Sequence, residues 1–116
     1  MKNIYFALFA TFFLSTISEA NTGWKVCNVI QVSIEDDNSG EGIVKFDCTF
    51  NQLSGCSNPG AETQFMSFDP STYSGRSLHS LSMLALSLGT KVKVIGNSCF
   101  AGVPKINTMT VCKGDC

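Results

Sequence analysis

The residues of this chain best able to do chemistry are its six cysteines, Cys27, Cys48, Cys56, Cys99, Cys112 and Cys116. An even count in a short chain points to disulfides. Zinc is the competing use, but there is no CxxC pair, and the single histidine, His79, is far from any cysteine in sequence. No metal site and no cofactor are expected. Catalytic residues are equally sparse. His79 falls on the polar side of a helical segment and reads as a solvated surface residue, and none of the many serines sits in a GxSxG motif. With no nucleophile and base pair, the chain is expected not to be an enzyme. Glu35, Asp36 and Asp37 lack the alternating spacing and terminal glutamate of a calcium loop, which leaves a solvated turn. Trp24 is either a stacking platform for a sugar or base, or a lid over the core.

The compartment is read from the start of the chain. Residues 1–20 carry one cation, Lys2, then an apolar run from Ile4 to Leu14, then Ser18, Glu19 and Ala20. This is the pattern of a secretory signal peptide cut after Ala20, and the run is too short to span a bilayer core of roughly 30 Å. An uncleaved anchor is the alternative. Residues 21–116 form one domain in size, and no membrane span is expected after cleavage. Without Lys2 and Glu19 they hold seven cations and eight anions, which argues against nucleic acid as a partner. A secreted or periplasmic location follows, and it suits the cysteines.

The elements that must position these residues are legible in order. Val26 to Ile34 is rich in valine and isoleucine, and Glu35 to Gly42 is a polar turn. Ile43 to Phe50 alternates, with Val44, Phe46, Cys48 and Phe50 on one face. The first strand breaks parity between Val29 and Val32, so a bulge is expected there. A turn-rich loop, Gln52 to Ala61, precedes a third strand, Glu62 to Phe68, with Phe65 as its inward anchor. Asp69 to Gly75 is a loop, and Ser71, Ser74 and Ser77 are candidate helix caps.

The helix buries a stripe of Leu78, Leu81, Leu84, Ala85 and Leu88 and ends at Gly89. Lys91 to Ile95 alternates as a strand, Gly96 opens a loop through Pro104, and Ile106 to Cys112 is the last strand. The expected fold is mainly β with one helix: a small five-stranded OB-fold barrel, β-β-β-α-β-β, stapled by disulfides.

That topology suggests cysteine partners. In such a barrel the loop between strands two and three lies at the same end as the loop between strands four and five, so Cys56 and Cys99 are the preferred pair. Cys27 and Cys48 flank the first hairpin almost symmetrically, and Cys112 and Cys116 could close the tail. Six cysteines allow fifteen connectivities, so the last two pairs could instead cross-link. Off the main helical stripe, Met83 and Leu86 are candidates for a subunit interface, or two ordinary half-buried residues.

In this order of elements the chain resembles the B-subunit family of subtilase cytotoxin, and more loosely the B pentamers of cholera-like toxins. The resemblance covers most of Trp24 to Cys112. It is carried by Trp24, the valine-rich first strand, the cysteine loop, the helix SLHSLSMLALSLG, the strand KVKVIG and a cysteine loop before the final strand. It implies an exported, non-catalytic protein that assembles as a homo-oligomer, a ring of five, with a host glycan or a toxin A subunit as partner. In such rings the helices line the pore, which would give Met83 and Leu86 a reason to be apolar. Lys25 to Val29 do not reproduce the family's serine-led sugar site, so no ligand-binding residue is assigned. The alternative function is a small secreted or periplasmic inhibitor or interaction protein acting through its loops.

Overall fold

The computed structural model describes residues 21–35 and 40–116. The expected leader, residues 1–20, and the centre of the acidic turn, residues 36–39, lie outside the described residues. The elements are β1 (Lys25–Glu35), β2 (Glu41–Asn51), β3 (Glu62–Phe68), α1 (Tyr73–Leu88), β4 (Lys91–Phe100) and β5 (Val103–Val111). The strands close into a barrel in the order β1-β2-β3-β5-β4, with β4 returning to β1. Every pairing is antiparallel except that of β3 with β5, which meet in parallel at Ser67 and Lys105. A five-stranded barrel with its helix between the third and fourth strands is the OB arrangement.

The broken parity of β1 has its physical cause in a bulge. Val29 faces Phe46 and Gln31 faces Lys45, so Ile30 is one residue more than β2 can match. The extra residue turns Cys27, Val29 and Val32 towards the same interior. Alternation in β2 sends Val44, Phe46 and Phe50 inward, where they meet Met66 and Phe68 of β3, Val92 and Val94 of β4 and Ile106 and Met109 of β5. The rings of Phe46 and Phe50 meet edge to face with centroids 5.4 Å apart.

Several local expectations are corrected. Phe65 is not the inward anchor of β3; Met66 and Phe68 are buried, while Phe65 lies half-buried with the Lys45 ammonium 5.7 Å from its ring centroid. The stretch from Gly96 to Phe100 continues β4, and Ala101 and Gly102 alone make the turn into β5. Their φ values of 58° and 78° give the left-handed pair that a two-residue hairpin needs. The helix is capped by Thr72, whose hydroxyl accepts from the Gly75 N–H, and not by a serine. Its buried side is made of Gly75, Ser82 and Ala85, with Leu78 and Leu81 packed on the core. Leu84 and Leu88, expected inside, are 47% and 62% exposed.

All six cysteines are paired: Cys27 with Cys48, Cys56 with Cys99 and Cys112 with Cys116. The second bond joins the 52–61 loop to the end of β4, and the Ser57 N–H donates to the Gly102 carbonyl beside it. It closes 43 residues of sequence. On the chain-entropy model such a closure stabilises a domain by about 4 kcal/mol. Replacing Cys56 and Cys99 together by serine is expected to lower the unfolding free energy by about that amount, a large part of a small domain's total, as read from urea denaturation of the oxidised protein.

Candidate functional site

A groove of about 410 Å³ opens between the first half of α1 and β5. Its apolar lining comes from Leu78 and Leu81 on the helix and Ile106 and Met109 on the strand. Its polar lining includes Asp69, Ser74, Ser77, Lys105, Asn107 and Thr108. Tyr73, the first residue of the helix, stands at the rim with 83% of its surface exposed. An apolar trough carrying a few convergent polar groups has the composition of a small-ligand site.

The entry to the helix is built tightly enough to fix this geometry. The Asp69 carbonyl accepts from the Thr72 N–H at 3.2 Å and from the Thr72 hydroxyl at 2.9 Å. The same hydroxyl accepts from the Gly75 N–H at 3.0 Å. Gly75 has no alternative here, because a Cβ would lie 1.6 Å from the Asp69 carbonyl oxygen. The Asp69 carboxylate accepts from the Ser71 hydroxyl at 2.6 Å and from the Ser71 N–H at 2.9 Å. Those bonds, the hydroxyl first, hold its pKa below the usual 3.8, with the Lys105 charge adding to them. At neutral pH the groove therefore sets an anchored carboxylate and an ammonium among hydroxyls, an amide and one exposed ring.

The residues singled out from the sequence are scattered. His79 is half-buried and stacks on Phe68 with ring centroids 5.7 Å apart, so its ring packs on the core and is not simply solvated. Trp24 is 51% exposed and therefore no lid; the Lys93 ammonium lies 5.3 Å from its ring centroid. Met83 and Leu86 are exposed on the helix, together with Leu84 and Leu88. Cys27, Asp47 and Cys48 bring donor atoms within 4.8 Å of one another, yet the two sulfurs are bonded together, which leaves Asp47 without thiolate partners for a metal. The groove is not legible in the sequence, because its two walls, α1 and β5, are separated in the chain by the whole of β4 and meet only in the closed barrel. The proximity of Tyr73 to Pro70 and the helix start was the one available hint.

Compared with family models, with curated proteins and with solved structures, the chain matches none.

Asp47 is the second carboxylate with a lowered pKa, and its cause is the Asn28 side-chain amide, then the Asn28 N–H, each donating at 2.8 Å. A carboxylate whose folded pKa is depressed adds stability above its unfolded value, and that stability is lost as pH falls through the folded value. Both groups place the loss below about pH 3.8. Thermal unfolding followed from about pH 5 to about pH 2 should show a falling Tm at the acid end, and the double variant Asp47→Asn, Asp69→Asn should show a shallower fall.

Proposed function

We propose that this chain is an exported, non-catalytic binding protein of toxin B-subunit type that recognises host glycans, and that the groove between α1 and β5 holds the sugar. The observation that carries this reading is Tyr73, standing almost wholly exposed over a trough lined by Asp69, Lys105, Asn107 and Thr108. A sugar presents a C–H face that packs on an aromatic ring, and a rim of hydroxyls that bond to carboxylate, amide and ammonium groups. The groove offers both kinds of surface on a scaffold held by disulfides. Three disulfides also suit the oxidising compartment to which an exported protein goes. Among the described residues no helix is long and apolar enough to cross a membrane.

A glycan array probed with the oxidised protein is expected to give saccharide hits. Tyr73→Ala should weaken them by roughly tenfold or more, about 1.4 kcal/mol, while Tyr73→Phe retains most of the affinity. An array without hits removes the glycan reading.

The outer flank of α1 supports assembly. Leu84 and Leu88 stand exposed with Met83 and Leu86, and Arg76 is the one full charge on the helix. Ser77, Ser80 and Ser87 turn their hydroxyls back to the carbonyls four residues earlier, which leaves a smooth surface of low polarity. A ring of copies would cover it, and in the B-subunit reading a toxin A subunit is the further partner. Light scattering is expected to give a closed oligomer of about five chains, and Leu84→Asp with Leu88→Asp should return monomers with an unchanged circular dichroism spectrum. A stable wild-type monomer defeats the ring.

One feature favours the alternative of an inhibitor acting through a loop. Residues 57–61 are exposed on a loop pinned by the Cys56–Cys99 bond, the rigid display that a loop inhibitor needs.

A further inference from the structure

The last disulfide closes a ring of five residues, Cys112-Lys113-Gly114-Asp115-Cys116, with Cα atoms of the two cysteines 5.2 Å apart. The ring is mounted on the barrel. Cys112 is buried at the end of β5, and its N–H donates to the Lys91 carbonyl at 2.9 Å. Beyond that anchor everything is exposed. Gly114 has φ 79°, the left-handed conformation that turns the ring and that a side chain would resist. On either side of it stand a cation and an anion, Lys113 and Asp115, both exposed. Among the described residues neither side chain makes a hydrogen bond or an ion pair, even though they are opposite in charge and two positions apart.

From this arrangement we infer that the Cys112–Cys116 ring is a recognition loop for a cell-surface adhesion receptor that binds a basic-Gly-Asp turn through a protein-held divalent cation. An exposed carboxylate such as that of Asp115 is the ligand a hard cation with an open coordination position takes up. A cation two positions away on the same small ring, Lys113, asks for an acidic pocket beside that metal. The disulfide supplies what a short linear segment lacks. It fixes the turn before binding, so the ordering cost is met when the bond forms in the free protein. The five residues add nothing to the apolar core beyond Cys112, which leaves display as the use of the other four. This inference is independent of the glycan reading, since the ring shares no residue with the α1–β5 groove.

The test is binding of the oxidised full-length mature protein to immobilised adhesion-receptor ectodomains that bind Arg-Gly-Asp peptides in magnesium or manganese. Saturable binding is expected, abolished by EDTA and competed by a soluble Arg-Gly-Asp peptide. Asp115→Asn and Asp115→Glu should each lose at least about tenfold in affinity, and Lys113→Arg should keep it. Opening the ring with Cys112→Ser and Cys116→Ser should weaken binding while Asp115 still matters. Tyr73→Ala, which removes the ring at the rim of the groove, should leave this binding intact, so the two proposals fail separately. Absence of cation-dependent binding across the receptors, or binding that is indifferent to Asp115→Asn, overturns the inference.

Discussion

β1 must bond to two strands at once, and the rest of the barrel depends on how it divides itself between them. Its first residues, Lys25 to Asn28, ladder with β4, and its later residues, from Val29 onward, ladder with β2. The change of partner coincides with the bulge at Ile30. A closing sheet needs its strands to tilt and coil, and one unmatched residue supplies the bend. Where the β2 ladder ends, three other links continue it. Inside, Cys27 is bonded to Cys48; outside, the Asn28 side chain and N–H both donate to the Asp47 carboxylate, and Lys25 donates to the Thr49 carbonyl. With the parity slipped by one, Cys27 and Val29 would face water, and neither the bond nor the core could form.

Closure on so few strands leaves little room for the helix, and this decides what α1 shows to solvent. The residues it buries are small: Gly75, Ser82 and Ala85. Small side chains let the helix lie close against the barrel, and Gly75 is pressed against the Asp69 carbonyl. Ser82 is tolerated inside because its hydroxyl donates to the Leu78 carbonyl at 2.7 Å and lies 3.7 Å from the Met109 sulfur. The helix carries more leucine than this footprint can cover, and the surplus is Leu84, Leu86 and Leu88 with Met83. Packing explains why these side chains are left outside the barrel, and an apolar flank of that kind costs solubility until something covers it.

The order of elements was legible in the sequence because each rests on a strong local signal: alternation in Val44 to Phe50, glycine at the end of the helix, lysine and valine alternating in Lys91 to Ile95. The bulge was legible only in Val29 and Val32, apolar positions of opposite parity that both turn to the core, while Val26, Ile30 and Ile34 stay exposed. What failed were choices between equals. Phe65 and Phe68 have opposite parity in one short strand, and pattern alone does not say which parity the barrel wants; Phe65 ends half-buried beside the Lys45 ammonium of the neighbouring strand. Five aliphatic positions on the helix outnumbered those the barrel could accept. Gly96 and Asn97 read as a loop, yet their strand continues because bulges at Ile95/Gly96 and Asn97/Cys99 absorb the misfit. The groove was invisible because Tyr73 and Lys105 are distant in sequence and share no pattern.

The three disulfides do unequal work, and the inequality bears on how the molecule is used. A bond across 43 residues restricts the unfolded chain severely, and one across 21 residues ties β1 to β2 at the seam. A bond across four residues restricts almost nothing beyond its own ring, about 2 kcal/mol on the same entropic scale and without core packing to add to it. Stability alone therefore explains the first two bonds better than the third. What the third does strongly is fix the shape of Lys113-Gly114-Asp115 and hang it from β5, the strand that also forms one wall of the groove. The barrel spends its covalent links twice on holding itself closed and once on holding a surface in shape.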